Sequence, residues 1–454
     1  MGRRVTALFA RRALLPEGWA DDVRLDWSDA GTLSQVSVGG RSDDAEHADL
    51  VLPGMPNLHS HAFQRALAGR TEHAADGPDS FWTWRDLMYR FARVITPAQV
   101  EAIAAQLYAE CLRFGYTAVC EFHYLHRDPR GELYPRIAEM AERVIAAARS
   151  TGVGLTMLPV LYSWAGFGEH PLAPEQQRFR TDADEILLVV EALEPARGGQ
   201  LEVGVAPHSL RAASLAQISR VVEALAVGRP IHIHIAEQLG EVEQSLAFSG
   251  ARPVRYLMDH VDVDARWCLV HATHLDDAEA DALAASGAVA GLCPTTEANL
   301  GDGVFPLSRY LERGGRIGIG SDSNVSVSPV EELRWLEYGQ RLVQRRRNVA
   351  ISGSERRVAD FLWQAALAGG AQASGRPVGA LAIGRRADLL VLDGSHPSLA
   401  SAETSEVLGR FVFCGNDNLV KHVCVGGRWV VRDGAHVDGV AIAERYRRAM
   451  SELR

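Results

Sequence analysis

The sequence predicts an α/β protein: a (β/α)8 TIM barrel with a small β-sandwich domain built from both chain ends. Three observations predict it. From about residue 60 to 375, short apolar strand-like runs alternate with longer stretches of helical periodicity. Counted with the run Val51 to Phe63, they give eight strand–helix alternations. At both ends of the chain the text changes to strand–turn–strand. Finally, no Gly-x-Gly-x-x-Gly follows the first strand, which argues against a dinucleotide-binding open sheet. The expected parts are 1–52 and 379–454 for the two halves of the β domain and 53–378 for the barrel.

Residues 1 to about 50 are short apolar runs split by turn residues, such as Leu33 to Val38 ahead of Gly39-Gly40. The run Val51 to Phe63 follows. Thr96-Pro97 is a helix start, and the helical pattern from it reaches Phe114, where Gly115 ends it. The expected strands that follow are Tyr116 to Phe122, Gly154 to Leu161, Leu201 to Ala206, Pro230 to Ala236, Trp267 to His271, Ala288 to Leu292 and Arg316 to Ser321. Between them fall helical patterns over Leu133 to Thr151, Thr181 to Leu193, Ser214 to Ala226, Glu241 to Phe248, Pro253 to His260, Asp276 to Ser286 and Leu307 to Arg313. A last one runs from Glu331 to about Asn348, with Arg345-Arg346-Arg347 on a solvated helix face. In the tail, Ala387 to Leu392 reads as a strand, and Val420 to Val431 as two strands about Gly426-Gly427.

The chain has 454 residues, 47% of them hydrophobic, enough to bury a large core. Its formal net charge is −10, which disfavours binding to nucleic-acid phosphates. Cys111, Cys120, Cys268, Cys293, Cys414 and Cys424 are scattered without a Cys-x-x-Cys pair, so neither a disulfide framework nor a thiolate zinc site is expected. The short apolar run near the N-terminus is broken by Arg11-Arg12, too soon for a signal-peptide core, and no window reads as a membrane span. A reducing cytoplasm fits these features.

Residues that carry chemistry fall at the C-terminal ends of the expected strands, where catalytic groups of such barrels lie. In an extended segment His59 and His61 share a face. His234 closes Ile231-His232-Ile233-His234-Ile235, His271 closes Cys268-Leu269-Val270-His271, and Asp322 follows Ile317 to Ser321. His59, His61, His234 and Asp322 make a sensible ligand set for one divalent metal with a water position open. Zinc is the first expectation, and iron(II) is also admitted. His232 shares a face with His234 and competes for the same role. His234 is preferred because it is nearer the strand end and Glu237 follows three residues later. A metal in this set lowers the pKa of a water, and Glu237 and His271, with Asp322 nearby, are placed to move protons.

This set, His59-x-His61, His234-x-x-Glu237, His271 and Ser321-Asp322, resembles the amidohydrolase superfamily in its mononuclear deaminase branch. The resemblance covers essentially the whole chain. Lys421, the only lysine, lies in the tail, which excludes the lysine-bridged binuclear form but not a glutamate-bridged one. Pro56-Asn57-Leu58-His59-Ser60-His61-Ala62-Phe63-Gln64-Arg65, Trp82-Thr83-Trp84-Arg85, Glu121-Phe122-His123-Tyr124 and Ala206-Pro207-His208-Ser209-Leu210-Arg211 narrow it to members that hydrolyse the formimino group of N-formimino-L-glutamate to a formyl group, releasing ammonia. That resemblance implies substrate-binding roles for Gln64, Arg85, Tyr124, His208 and Arg211, and a homodimer. Arginine suits a dicarboxylate, because its guanidinium binds carboxylate through two charge-assisted bonds. A deaminase of the same branch acting on guanine, adenosine or a triazine would share the metal set but would need aromatic stacking and amide contacts instead. A barrel that has lost its chemistry would usually lack ligands, and none is missing here.

Overall fold

The computed structural model describes residues 7–40, 44–73 and 81–453, with the backbone alone for 81–83. The start of the N-terminal segment read above for a leader, and the side chains of Trp82 and Thr83, lie outside the described residues. All eight expected barrel strands are present. They are Met55–Ser60, Tyr116–His123, Gly154–Leu161, Leu201–Val203 continued by Ala206–Pro207, Ile231–Ile235, Trp267–His271, Val289–Leu292 and Arg316–Ile319. Each pairs parallel with its neighbour. Parallel bridges Val205–Ile231 and Ser60–Asp322 close the ring between the fourth and fifth strands and between the eighth and first. The fourth strand breaks at Gly204, where a Cβ would lie 2.3 Å from the Pro230 carbonyl oxygen. A side chain there would push the fourth and fifth strands apart.

The two chain ends share one eight-stranded sheet. Ala7–Leu15, Gly18–Trp27, Leu33–Val38 and Glu46–Pro53 come from the N-terminal side; Leu389–Leu392, Val420–Val425, Arg428–Arg432 and Ala435–His436 come from the C-terminal side. The seam joins Glu46–Pro53 antiparallel to Leu389–Leu392, with Val51 opposite Val391. The sheet folds over its own core as a sandwich, packing Leu8, Val23, Leu25, Trp27, Val51 and Leu389 together. Gly426 and Gly427 both take positive φ, as a tight hairpin between two twisted strands requires. Glu46–Pro53 then runs through Gly54 directly into the first barrel strand, and Gly54 lies so close to Thr117 that a Cβ would meet its hydroxyl oxygen at 2.2 Å.

Several elements differ from the sequence expectation. The helix expected from Leu133 starts only at Glu139, because Leu133 bridges Arg127 and Pro135 follows. Arg345 to Arg347 are exposed but lie past the helix, which ends at Gln344 with Arg345 in the left-handed region. Helices Phe81–Ala92, Pro294–Leu300, Val358–Ser374, Val407–Phe413 and Gly439–Glu452 escaped the reading. No described helix is long and apolar enough to cross a membrane. Helix Val358–Ser374 lies against the first and eighth strands, and Gly369 touches the backbone there. A Cβ on it would sit 1.9 Å from the Ile317 carbonyl oxygen. Gly369→Ala is therefore expected to lower unfolding free energy by about 1–3 kcal/mol or more, read as a shift of the denaturant midpoint without loss of slope.

Candidate active site

The C-terminal mouth of the barrel gathers the expected ligands. His59 Nε2 lies 3.1 Å from His61 Nε2 and 3.0 Å from His234 Nε2. Asp322 Oδ1 lies 3.3 Å from His59 Nε2 and 3.1 Å from His61 Nε2. A tetrahedron with metal–ligand bonds of about 2.0–2.1 Å has edges of roughly 3.3 Å. The four groups are buried and within reach of one another, so a metal ion fits them. One proton on His59 Nε2 could not satisfy three neighbours at once.

Protonation agrees with that fit. Burial pushes His59 down to about 3 and His234 well below its ordinary value, so both rings are neutral and offer lone pairs. His61 Nδ1 donates to the Phe122 carbonyl at 2.9 Å, which leaves its Nε2 facing the cluster. Burial would raise Asp322, but the His59 and His61 rings set against it outweigh that and hold the carboxyl well below its usual range.

The backbone that presents these groups is locked across the barrel seam. Asn57 Oδ1 accepts from the Ser321 N–H at 3.0 Å, and its amide donates to Ser321 Oγ at 2.6 Å. Asn324 Nδ2 donates to the His61 and Asp322 carbonyls at 3.0 and 2.9 Å. Asp322 has a φ of 46° and His271 one of 67°, left-handed values that cost a non-glycine residue energy. Those turns swing both side chains inward, and the seam bonds hold the Asp322 turn in place. Glu121, buried under the first-strand turn, accepts from the Ala62 N–H at 2.6 Å and from the Tyr108 hydroxyl at 3.1 Å.

Beside the ligands lies an acidic and imidazole group. His271 Nε2 is 3.8 Å from Glu237 Oε1 and 3.8 Å from Asp322 Oδ2. Its other nitrogen, Nδ1, lies 3.3 Å from Glu297 Oε1, which also accepts the Cys293 N–H at 2.9 Å. Burial would lower His271, but Glu237, Glu297 and Asp322 overcome that and push it up to about 10. Burial raises Glu237 despite the nearby His271. A divalent cation among the four ligands opposes both rises. Glu237's own N–H donates to Glu241 Oε2 at 3.1 Å, which fixes the loop after the fifth strand. His232, the competing histidine, sits lower and bonds the Ala373 carbonyl at 2.8 Å, so it faces away from the cluster.

A cavity of about 700 Å³, counting its mouth, opens onto the ligands. Gln64, Arg85, Tyr124, His208 and Arg211 all line it, together with Glu237 and His271. Gln64 Nε2 donates to the Tyr124 hydroxyl at 2.5 Å, and its carbonyl oxygen is buried without a partner. Arg211 Nε is likewise buried and unpartnered. Arg85 lies over the Tyr89 ring, 5.4 Å from its centre. The end of the fourth strand carries His208, and Lys421 lies in the sandwich strand Val420–Val425.

Sequence reasoning missed Glu297, Asn57, Asn324, Tyr89 and Tyr162 as parts of the site. Glu297 had a signal: Cys293-Pro294-Thr295-Thr296-Glu297 places proline at the first helical position and an acid in the first turn, marking a helix directly after the seventh strand.

The fold and the His–Asp cluster define a metal-site hydrolase of the barrel type, and the comparisons agree. Residues 50–430 match the model of the Amidohydrolase family, and residues 5–48 match that of the N-terminal domain of formimidoylglutamate deiminase HutF. Formimidoylglutamate deiminase of Pseudomonas aeruginosa is 54% identical over 99% of this chain and 100% of its own length. The chain belongs to the amidohydrolase family and, within it, to the formimidoylglutamate deiminases. A crystal structure of an amidohydrolase from Brucella melitensis superposes with a TM-score of 0.94 at 44% identity, covering 98% of this chain and 99% of that one. A 5-methylthioadenosine/S-adenosylhomocysteine deaminase of Natronomonas pharaonis is 28% identical over 93% of this chain and 90% of its own length.

His234→Asn is expected to leave the fold intact and strip the metal. Atomic absorption should find the variant substoichiometric beside a loaded parent with the same circular dichroism.

Proposed function

We infer that the chain hydrolyses the C=N bond of N-formimino-L-glutamate, giving N-formyl-L-glutamate and ammonia, with one divalent metal, zinc in first place and iron(II) in second. The observation that carries this reading is one cavity with two chemical poles. Imidazoles and acids line it at the ligand cluster, and Arg85 and Arg211 line it as well. A cationic amidine suits the acids, and carboxylates suit the arginines.

A metal held by His59, His61, His234 and Asp322 would supply acidification of a water and polarisation of the amidine. The chain's own groups do the rest. His271 Nε2, between Asp322 and Glu237, accepts a proton from the attacking water. Its Nδ1–H stays directed at Glu297, which holds the ring in that tautomer. As the water oxygen bonds the amidine carbon, Glu237 passes a proton to the terminal nitrogen, whose bond to carbon then breaks, and ammonia leaves. The carbon keeps its bond to the glutamate nitrogen, its hydroxyl proton returns to Glu237, and it becomes the formyl group. Gln64 and Tyr124 flank the reacting end; Arg85, His208 and Arg211 orient the carboxylates. The reading includes a homodimer in the cytoplasm, with no nucleic-acid or membrane partner.

The deciding assay follows ammonia release by metal-loaded protein from N-formimino-L-glutamate, with adenosine and guanine alongside. Release from the formimino compound alone is expected; release from a nucleobase alone would discard the substrate. Glu237→Gln should lower kcat by about 10²–10⁴-fold. Glu297→Ala should lower kcat by about 10- to 100-fold at unchanged metal content, by analogy with groups that orient ligating histidines. Removing Arg85 or Arg211 should show mainly in KM.

A further inference from the structure

We propose that Tyr89 and Tyr162, oriented by Gln176, form a hydroxyl-donor seat for the substrate carboxylate farther from the reacting carbon. The seat makes the site selective for a dicarboxylate over a monocarboxylate. This deepens the function proposed above and rests on it.

The argument starts from donor and acceptor counting. Gln176 is buried, and its carbonyl oxygen accepts the Ala173 N–H at 3.0 Å. That bond fixes which end of the amide faces the cavity side. The amide nitrogen therefore points at the two phenols, donating to the Tyr162 hydroxyl at 2.8 Å and to the Tyr89 hydroxyl at 3.4 Å. Both hydroxyls are thus acceptors toward Gln176, and each keeps its own proton to give elsewhere. Even if one hydroxyl donates to the other, the pair can absorb only one of its two protons internally. At least one O–H is left over, and both tyrosines line the cavity. Outside the pair, neither donates to a protein acceptor among the described residues.

The position of the pair fits the distal end of the substrate. Ring contacts step outward from the metal ligands along two walls. On one, His234 meets His208 at 4.8 Å and His208 meets Tyr162 at 4.7 Å. On the other, His61 meets Tyr124 at 4.9 Å, Tyr124 meets Phe179 at 5.1 Å, and Phe179 meets Tyr89 at 5.6 Å. The tyrosine pair is at least two ring contacts from the ligands. Arg85, stacked over Tyr89, and the unpartnered Arg211 Nε add positive charge to the same cavity. The seat therefore presents donors without a matching acceptor. A carboxylate satisfies it, whereas a neutral amide or nucleobase edge satisfies it only in part.

The test compares N-formimino-L-glutamate with N-formiminoglycine, which lacks the second carboxylate, in the metal-loaded enzyme. Tyr89→Phe with Tyr162→Phe is expected to raise KM for the glutamate compound about 10- to 100-fold. The expectation includes kcat within about twofold, the mark of lost ground-state binding, and an unchanged KM for the glycine compound. Gln176→Glu keeps both hydroxyls but gives them an acceptor that draws their protons inward, so it should reproduce the same split. Equal losses on both substrates, or no loss on either, would overturn the seat. Calorimetric binding of N-formyl-L-glutamate against N-formylglycine separates this from the reaction itself. If the parent turned over neither substrate, the reaction reading would fail; the seat would stand if only the dicarboxylate lost affinity in the variants, and fall otherwise.

Discussion

Three imidazoles and a carboxylate have been taken out of water and set about 3 Å apart, an arrangement that is unfavourable unless something cationic joins them. Much of the surrounding structure answers that requirement. His59 and His234 are kept neutral by burial, the aspartate ionised by its neighbours, and the strand ends that carry the ligands are sewn together by Asn57 and Asn324. The left-handed turns at His271 and Asp322 belong to the same demand, since extended strand ends would send those side chains to the opposite face.

The division of labour around the ligands is one of charge. On the floor, Glu237 and Glu297 surround His271 and make a proton easy to hold there. On the wall, arginines and phenols offer donors. His208 stands between the two regions, its ring against both His234 and Tyr162, so the reacting end and the anchoring end share a rigid aromatic spacer.

Much of this was legible in the sequence, for identifiable reasons. Barrel strands are short apolar runs with polar residues at their C-terminal ends, so His59, His61, His234, His271 and Asp322 announced themselves by position, and the structure brings all five together. Gln64, Arg85, Tyr124, His208 and Arg211 were reached only through resemblance, because an arginine in so arginine-rich a chain carries little weight alone. Glu297 and Asn324 stayed hidden because their value lies in what they touch across the barrel, 26 residues away from His271 and 263 from His61 in the chain. Helix Val358–Ser374 escaped because it is buried on several faces, which erases amphipathic periodicity. Nothing in the sequence marks Tyr89 and Tyr162, and only the amide of Gln176 gives their hydroxyls a direction.

The segment that leads from the sandwich strand Glu46–Pro53 through Gly54 into the barrel strand Met55–Ser60 ties the two halves of the molecule together. Its sandwich half pairs with Leu389–Leu392, and the Gly54 N–H donates to the Asp388 carbonyl at 3.0 Å, five residues before His59. During synthesis from the N-terminus, the segment bearing His59 and His61 emerges long before either partner that holds its two ends, Asp322 on one side and Asp388 on the other. A ribosome-bound chain stopped short of residue 388 would carry all four ligands without the sheet that anchors the first two. The setting of the first two ligands thus depends on a segment made well after all four of them.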